Sequence, residues 1–173
     1  IEGGYMTQSQ RMKKALEENV ISRLVADGFI GKYPNYRKVY PDRIELISFP
    51  KYKYGNAFYI VASVAYPNKE EKEKQNIDYH FYDGNFDDLS ADVCRNKYFL
   101  KGNFGDLFYY TDVYWCGGAL GCMGVSEEKS KNHKRKWYEL QLQKADENIY
   151  KKVCDQVNKK LPKIYKWWAK MGK

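Results

Sequence analysis

The 173-residue chain holds little of the chemistry that catalytic and metal sites draw on. His80 and His133 are its only imidazoles, and Cys94, Cys116, Cys122 and Cys154 its only thiols. A structural zinc site asks for paired ligands roughly two to four residues apart. Cys116 and Cys122, the nearest pair, have five residues between them, so no metal site is expected. No run of 18 apolar residues exists, which excludes a membrane-spanning helix. The opening lacks a charged region followed by an apolar run, so no secretory signal is expected. Ile1 to Tyr5 read as an expression remnant ahead of a native Met6, with a mature N-terminus as the alternative. Without such a signal, free thiols are expected over any of the three disulfide pairings, and the cytoplasm is the expected location.

Nucleotide and hydrolase motifs are missing as well. Neither G-x-x-x-x-G-K-[ST] nor G-x-G-x-x-G can be laid on the glycine-rich segment Gly117 to Gly124. Glycines there permit tight turning, and their place between an aromatic stretch and a basic run makes the segment a candidate lip of a binding surface. Asp78 stands two residues before His80, on the same side of a predicted strand, and could orient it as a general base. No G-x-S-x-G, H-E-x-x-H, EF-hand or kinase signature accompanies that pair. The expectation is a protein that is not an enzyme and takes no cofactor.

What the chain has is charge and aromatic surface. Lys and Arg number 30 against 22 Asp and Glu, a net charge of +8, with a mean hydropathy of −0.77. From Lys131 to Lys173 there are 13 basic and 4 acidic residues, whereas the rest holds 17 basic and 18 acidic. The excess therefore sits in the last quarter. Such asymmetry suits nucleic acid, an anionic surface or an acidic protein, and it also suits a merely solvated helix face. Of the 30 basic residues 24 are Lys, although base and phosphate forks usually use Arg. Aromatics make up 17%, including 17 Tyr, and most alternate with polar residues as core aromatics do.

The pattern along the chain reads as α+β, in one domain over 1–173. Met12, Leu16, Val20 and Leu24 recur every four residues, which predicts an amphipathic helix over 8–27. Thr7 or Ser9 can cap it, and Gly28 stands where a left-handed closing residue belongs. Period-two segments follow at 36–40, 43–49 and 57–66, separated by turn residues, and predict an antiparallel meander. Both faces of 57–66 are apolar, as in a central strand. Further strands are expected at 77–82 and 107–115, giving a sheet of about five strands. Residues 67–76 read as a charged excursion and 86–105 as irregular. The chain closes with a helical unit over 146–171, whose apolar residues fall within about 160° on a helical wheel. Pro162 should kink or split it.

The order of these features resembles an uncharacterised bacterial domain-of-unknown-function family of small α+β proteins. The resemblance lies in Asp27-Gly28-Phe29, Ile44-Glu45-Leu46-Ile47, Phe58 to Val64, and Val157 to Pro162, and leaves 67–130 unmatched. It implies an antiparallel sheet packed by terminal helices and brings no catalytic residues with it. Some members of such families look like toxin-immunity proteins, so the resemblance also implies a protein partner, with a toxin as one candidate. The leading expectation is accordingly a non-enzymatic protein-binding module of immunity or antitoxin type. The alternative is a nucleic-acid binder that uses the basic C-terminal region. For either partner the candidate binding residues are Lys131, Lys134, Arg135, Lys136 and Trp137 in the basic run. Lys152, Lys159, Lys163, Lys166 and Trp168 follow on the last helix. Trp167 and Trp168 point 100° apart on a helix, so one of them could reach the edge of the apolar stripe.

Overall fold

A computed structural model describes residues 6–66, 90–94, 96–103, 105–110 and 148–171. The predicted strand at 77–82, Asp78, His80, the glycine-rich segment and the basic run lie outside the described residues, as does 110–115 beyond Tyr110.

The N-terminal helix begins at a capping box. Thr7 Oγ1 accepts from the Gln10 amide at 3.2 Å while Gln10 Oε1 accepts from the Thr7 amide at 2.8 Å. The expected single helix is three segments in register: α1 (Gln8–Leu16), a π-helical turn (Glu17–Ile21) and α2 (Ser22–Ala26). Side chains compete for backbone there: Asn19 Nδ2 donates to the Ala15 carbonyl and Ser22 Oγ to the Glu18 carbonyl. Asn158, from the last helix, donates to the Asn19 carbonyl at 2.9 Å, so the wide turn is partnered from outside. Gly28 closes the helix at φ +97°, with Gly28 and Phe29 amides returning to the Val25 and Leu24 carbonyls at 3.0 Å each.

Five strands form an antiparallel sheet in the order β1-β2-β3-β5-β6: β1 (Ile30–Lys32), β2 (Asn35–Val39), β3 (Ile44–Ser48), β5 (Val61–Ala65) and β6 (Lys97–Phe99). Before β5 comes β4 (Ala57–Tyr59), which pairs with β7 (Leu107–Tyr109) in a two-stranded sheet. The single strand expected over 57–66 is thus divided at Ile60, whose carbonyl accepts from the Leu100 amide at 2.9 Å. Its two halves serve two different sheets. β6 lies in the stretch read as irregular, and β1 was not expected at all; both are only three residues long, too short to alternate visibly.

Side-chain alternation gives the larger sheet two covered faces. Tyr36, Ile47, Ala62 and Val64 join the N-terminal helix and the last helix in one core. Ile44, Leu46, Val61 and Ala65 pack on the other face against Ala91 and Cys94, in and after a 3-10 turn (Ala91–Val93). This double cover is why all five residues of β3 and of β5 are buried, as the apolar pattern of 57–66 implied. The buried serines are partnered: Ser48 Oγ accepts from the Ala91 amide, and Ser63 Oγ donates to the Asn96 carbonyl. Among the described residues no helix is long and apolar enough to cross a membrane. The fold is α+β, as the sequence indicated.

Candidate functional site

The last helix, α3 (Ile149–Met171), runs unbroken through Pro162 for 23 residues. This corrects the expectation that Pro162 could split the unit in two. Pro162 itself lies on the exposed side, and the N–H it lacks would have met the carbonyl of the half-buried Asn158, one turn back. Val153, Cys154, Val157, Leu161, Ile164 and Trp168 form the buried stripe. Opposite that stripe, Lys159, Lys163, Lys166 and Lys170 are exposed at spacings of four, three and four residues, a row roughly 16 Å long. Among the described residues no carboxylate pairs with any of these four. Lys151 and Lys152 extend the exposed side by a turn and more.

Trp168 does not belong to this surface, which corrects its place among the candidate binding residues. It is 1% exposed, its indole Nε1 donates to the Ser63 carbonyl at 3.0 Å, and its ring stacks on Phe29 at 5.4 Å. Trp167 is the tryptophan at the rim, stacked on Tyr98 at 5.9 Å. The remaining candidates, Lys131, Lys134, Arg135, Lys136 and Trp137, lie outside the described residues. Lys160 leaves the lysine row altogether. Its ammonium donates to the Lys101 carbonyl at 2.6 Å and stands 5.5 Å from the Phe108 ring centre, tying α3 to the loop before β7.

A second surface went unnoticed in the sequence. The alternation that turns Phe58 and Phe108 into the core turns Tyr59 and Tyr109 outward from the β4–β7 pair. The preceding segment folds back on β4: the Tyr59 amide donates to the Pro50 carbonyl and the Tyr52 amide to the Ala57 carbonyl, both at 2.9 Å. Tyr52 thereby becomes a hub, its ring centre 5.8, 6.0 and 6.3 Å from those of Tyr54, Tyr59 and Tyr109, all edge-to-face. Phe99 of β6 adjoins Tyr59 at 6.2 Å. Asn103 fixes Tyr109 by two 2.9 Å hydrogen bonds, one to its amide and one to its carbonyl. Tyr54 is 67% and Phe99 38% exposed, large apolar groups left in solvent. The usable signal was parity, with tyrosines out of phase with the phenylalanines on both strands.

Most buried polar side chains are committed within the fold; the exception among the described residues is Asn158 Oδ1, which is buried without a hydrogen-bond partner although its Nδ2 donates to Asn19. Arg43 donates to Glu45 Oε1 through Nη2 at 3.1 Å and through Nε at 3.3 Å, and its guanidinium lies 4.3 Å from the Tyr40 ring centre. Glu45 is only 5% exposed, and these two hydrogen bonds partner its carboxyl oxygen Oε1 inside the fold. Burial pushes the Cys94 and Cys154 thiols up to about 11 and about 12, away from thiolate chemistry. Both are free thiols. No cluster of His, Cys, Asp and Glu among the described residues could hold a metal ion. The described surfaces are thus equipped for contact: a cationic row on α3 and an aromatic face on the smaller sheet.

Comparison with known proteins finds no match among curated proteins and none among solved structures. A family match does exist, over residues 20–170, from the middle of the N-terminal helix almost to the end of α3. It takes in both sheets and both candidate surfaces, and the chain belongs to the family described as a domain of unknown function, DUF4304.

Proposed function

We propose that this protein is a binding module and not an enzyme, and that its ligand is nucleic acid held by the lysine row of α3. The observation that carries the reading is the exposed row Lys159, Lys163, Lys166 and Lys170, without carboxylate partners among the described residues. Lysine offers a point charge and no planar fork, so it suits phosphates and reads little of the bases. Withdrawal of Trp168 into the core leaves α3 with charge and no aromatic anchor of its own on that face, which shifts the balance from a protein partner towards an anionic polymer. The sequence places the basic run from Lys131 to Lys136 upstream of α3, and it would add further phosphate contacts.

Such binding is sequence-independent and steeply salt-dependent, because each neutralised phosphate releases counterions. Titration of a labelled DNA duplex at low salt tests it. Binding is expected, and Lys159→Glu with Lys163→Glu should lower the slope of log affinity against log salt by roughly 0.9 for each phosphate no longer neutralised. A duplex that stays unbound at low salt, or a slope that ignores the double variant, refutes the reading.

The second reading is a non-enzymatic protein-binding module of the immunity or antitoxin kind, cytoplasmic and paired with a toxin. The exposed rings of Tyr54 and Phe99 favour it, since aromatic groups anchor protein interfaces. Its test is genetic and biochemical together. A neighbouring gene product that is toxic alone, harmless with this chain, and co-purified with it would establish the pairing; Tyr54→Ala should then restore toxicity.

A further inference from the structure

We propose that the outward aromatic face of β4 and β7 binds single-stranded nucleic acid, with bases on Tyr54 and Phe99 and phosphates at Lys53 and Lys97. The inference rests on the nucleic-acid reading for the class of ligand, but its residues are separate from the row on α3.

The rings form one connected run, from Tyr54 through Tyr52 and Tyr59 to Phe99, in steps of 5.8, 6.0 and 6.2 Å. Because they brace one another, the platform exists before any ligand arrives, and little side-chain freedom is left to lose. Cations are interleaved with it. Lys53 Nζ stands 5.3 Å from the Tyr54 ring centre, and Lys97 precedes Phe99 by two residues on β6, hence on the same side of the strand. No carboxylate among the described residues pairs with either, whereas Lys101 is held by Asp106 at 2.6 Å.

This composition decides between occupants. Lysine is depleted in protein–protein interfaces, while aromatic rings set among cations are how sequence-tolerant single-strand sites are built. A duplex keeps its base faces stacked inside and has nothing to lay on Tyr54; a single strand exposes them. A second copy of this chain is opposed by its own charge of +8. The helix that carries the lysine row is also tied to the segment that follows Phe99, where Lys160 of α3 donates to the carbonyl of Lys101, two residues further on.

Fluorescence anisotropy on the full chain at low salt tests this, with labelled oligo(dT) of about twelve nucleotides and a duplex of the same length. Oligo(dT) is expected to bind more tightly than the duplex. The double variant Tyr54→Ala, Phe99→Ala should weaken oligo(dT) by at least about tenfold and leave duplex binding within about twofold. Both side chains are exposed, so an unchanged thermal midpoint will certify the fold. Lys53→Glu with Lys97→Glu should lower the oligo(dT) salt slope by roughly 0.7 per phosphate released. The proposal is overturned if oligo(dT) does not bind, or if the aromatic variant binds it like the wild type. An acidic oligoglutamate peptide that binds with the same dependence on Tyr54 and Phe99 would overturn it in favour of a protein partner. Oligo(dT) binding abolished by Lys159→Glu and Lys163→Glu but indifferent to the aromatic variant would keep the α3 reading and sink this one. Loss with the aromatic variant alone, with the duplex unbound, would do the reverse.

Discussion

Trp168 Nε1 donates to the carbonyl of Ser63 at 3.0 Å, so the C-terminal part of α3 is hydrogen-bonded to the middle of β5 across 105 residues of chain. The same indole stacks on Phe29, the residue that follows the N-terminal helix's closing glycine, at 5.4 Å. One side chain therefore joins the last helix, the central sheet and the end of the first helix. Trp168→Ala is expected to cost about 3–5 kcal/mol in urea unfolding, the usual penalty for emptying a large aromatic site. Trp168→Phe keeps much of the volume but gives up the hydrogen bond to the Ser63 carbonyl, and should cost about 1–3 kcal/mol. Lys163→Ala, on the exposed side of the same helix, should stay within about 0.5 kcal/mol. Equal losses at Trp168 and Lys163 would contradict this division of labour.

How far that division was legible depends on the range of the interactions involved. The apolar phase of α3 was readable through Pro162 because helical periodicity is local, and the same wheel places Trp168 near the middle of the apolar arc with Trp167 at its edge. Placing Trp168 among the candidate binding residues overlooked that phase. The cap at Thr7 and the closure at Gly28 were local too, and both occur. The division of 57–66 at Ile60 was not readable, since it is set by strands at 97–99 and 107–109 that lie about forty and about fifty residues away and are three residues long. Tyr52 and Tyr54 sit in what reads as turn sequence, and only the fold-back of Pro50 onto Tyr59 turns them into a platform. The π-helical turn depends on Asn19 and on Asn158, two residues that sequence order keeps apart.

Cys94 and Cys154 should be inert in the folded protein. Burial raises their thiols to about 11 and about 12, so the reactive thiolate is scarce at pH 8 and the sulfur is enclosed as well. Brief iodoacetamide treatment at pH 8, followed by peptide mapping, should leave both unlabelled, and both should label fully in denaturant. Rapid labelling of either in the native state would be inconsistent with their packing. The sign for stability follows: these thiols favour the fold fully below the ordinary thiol range, and that contribution fades as pH rises towards their folded values.

Tyrosine ionisation gives an alkaline limit. Tyr33 and Tyr36 are both raised to about 12, in each case chiefly by burial, with the Glu17 charge adding to it. Tyr165 is raised as well, first by burial and then by the 2.6 Å hydrogen bond it donates to Asp27. Because the folded values exceed the ordinary value of 10.0, this stabilisation is complete below pH 10 and is lost between pH 10 and 12 as the unfolded chain ionises first. Thermal midpoints should therefore hold to about pH 10 and then fall steeply. Tyrosinate absorbance should show a delayed fraction that appears together with unfolding. A single titration near pH 10 with all tyrosines ionising in the folded state would refute this.

Gly102 offers a test of how the aromatic face is held in place. A Cβ at this position would collide with the backbone carbonyl of Leu107, the first residue of β7. The Gly102 amide also donates to the Gly105 carbonyl at 2.8 Å, closing the turn that brings β7 back beside β4. Gly102→Ala must push β7 outward or open that turn, at a cost of about 1–3 kcal/mol. Gly105 lies in the same turn at φ +58° with open space around it, so Gly105→Ala should cost only the left-handed backbone penalty, about 1–2 kcal/mol, and displace no strand. The distinguishing measurement is quenching of tyrosine fluorescence by acrylamide at temperatures where both variants are folded. Gly102→Ala should make Tyr52, Tyr59 and Tyr109 more accessible, because their mutual edge-to-face contacts depend on the position of β7, and Gly105→Ala should leave quenching as in the wild type. If both variants quench alike, the position of Gly102 against Leu107 is not what seats the smaller sheet.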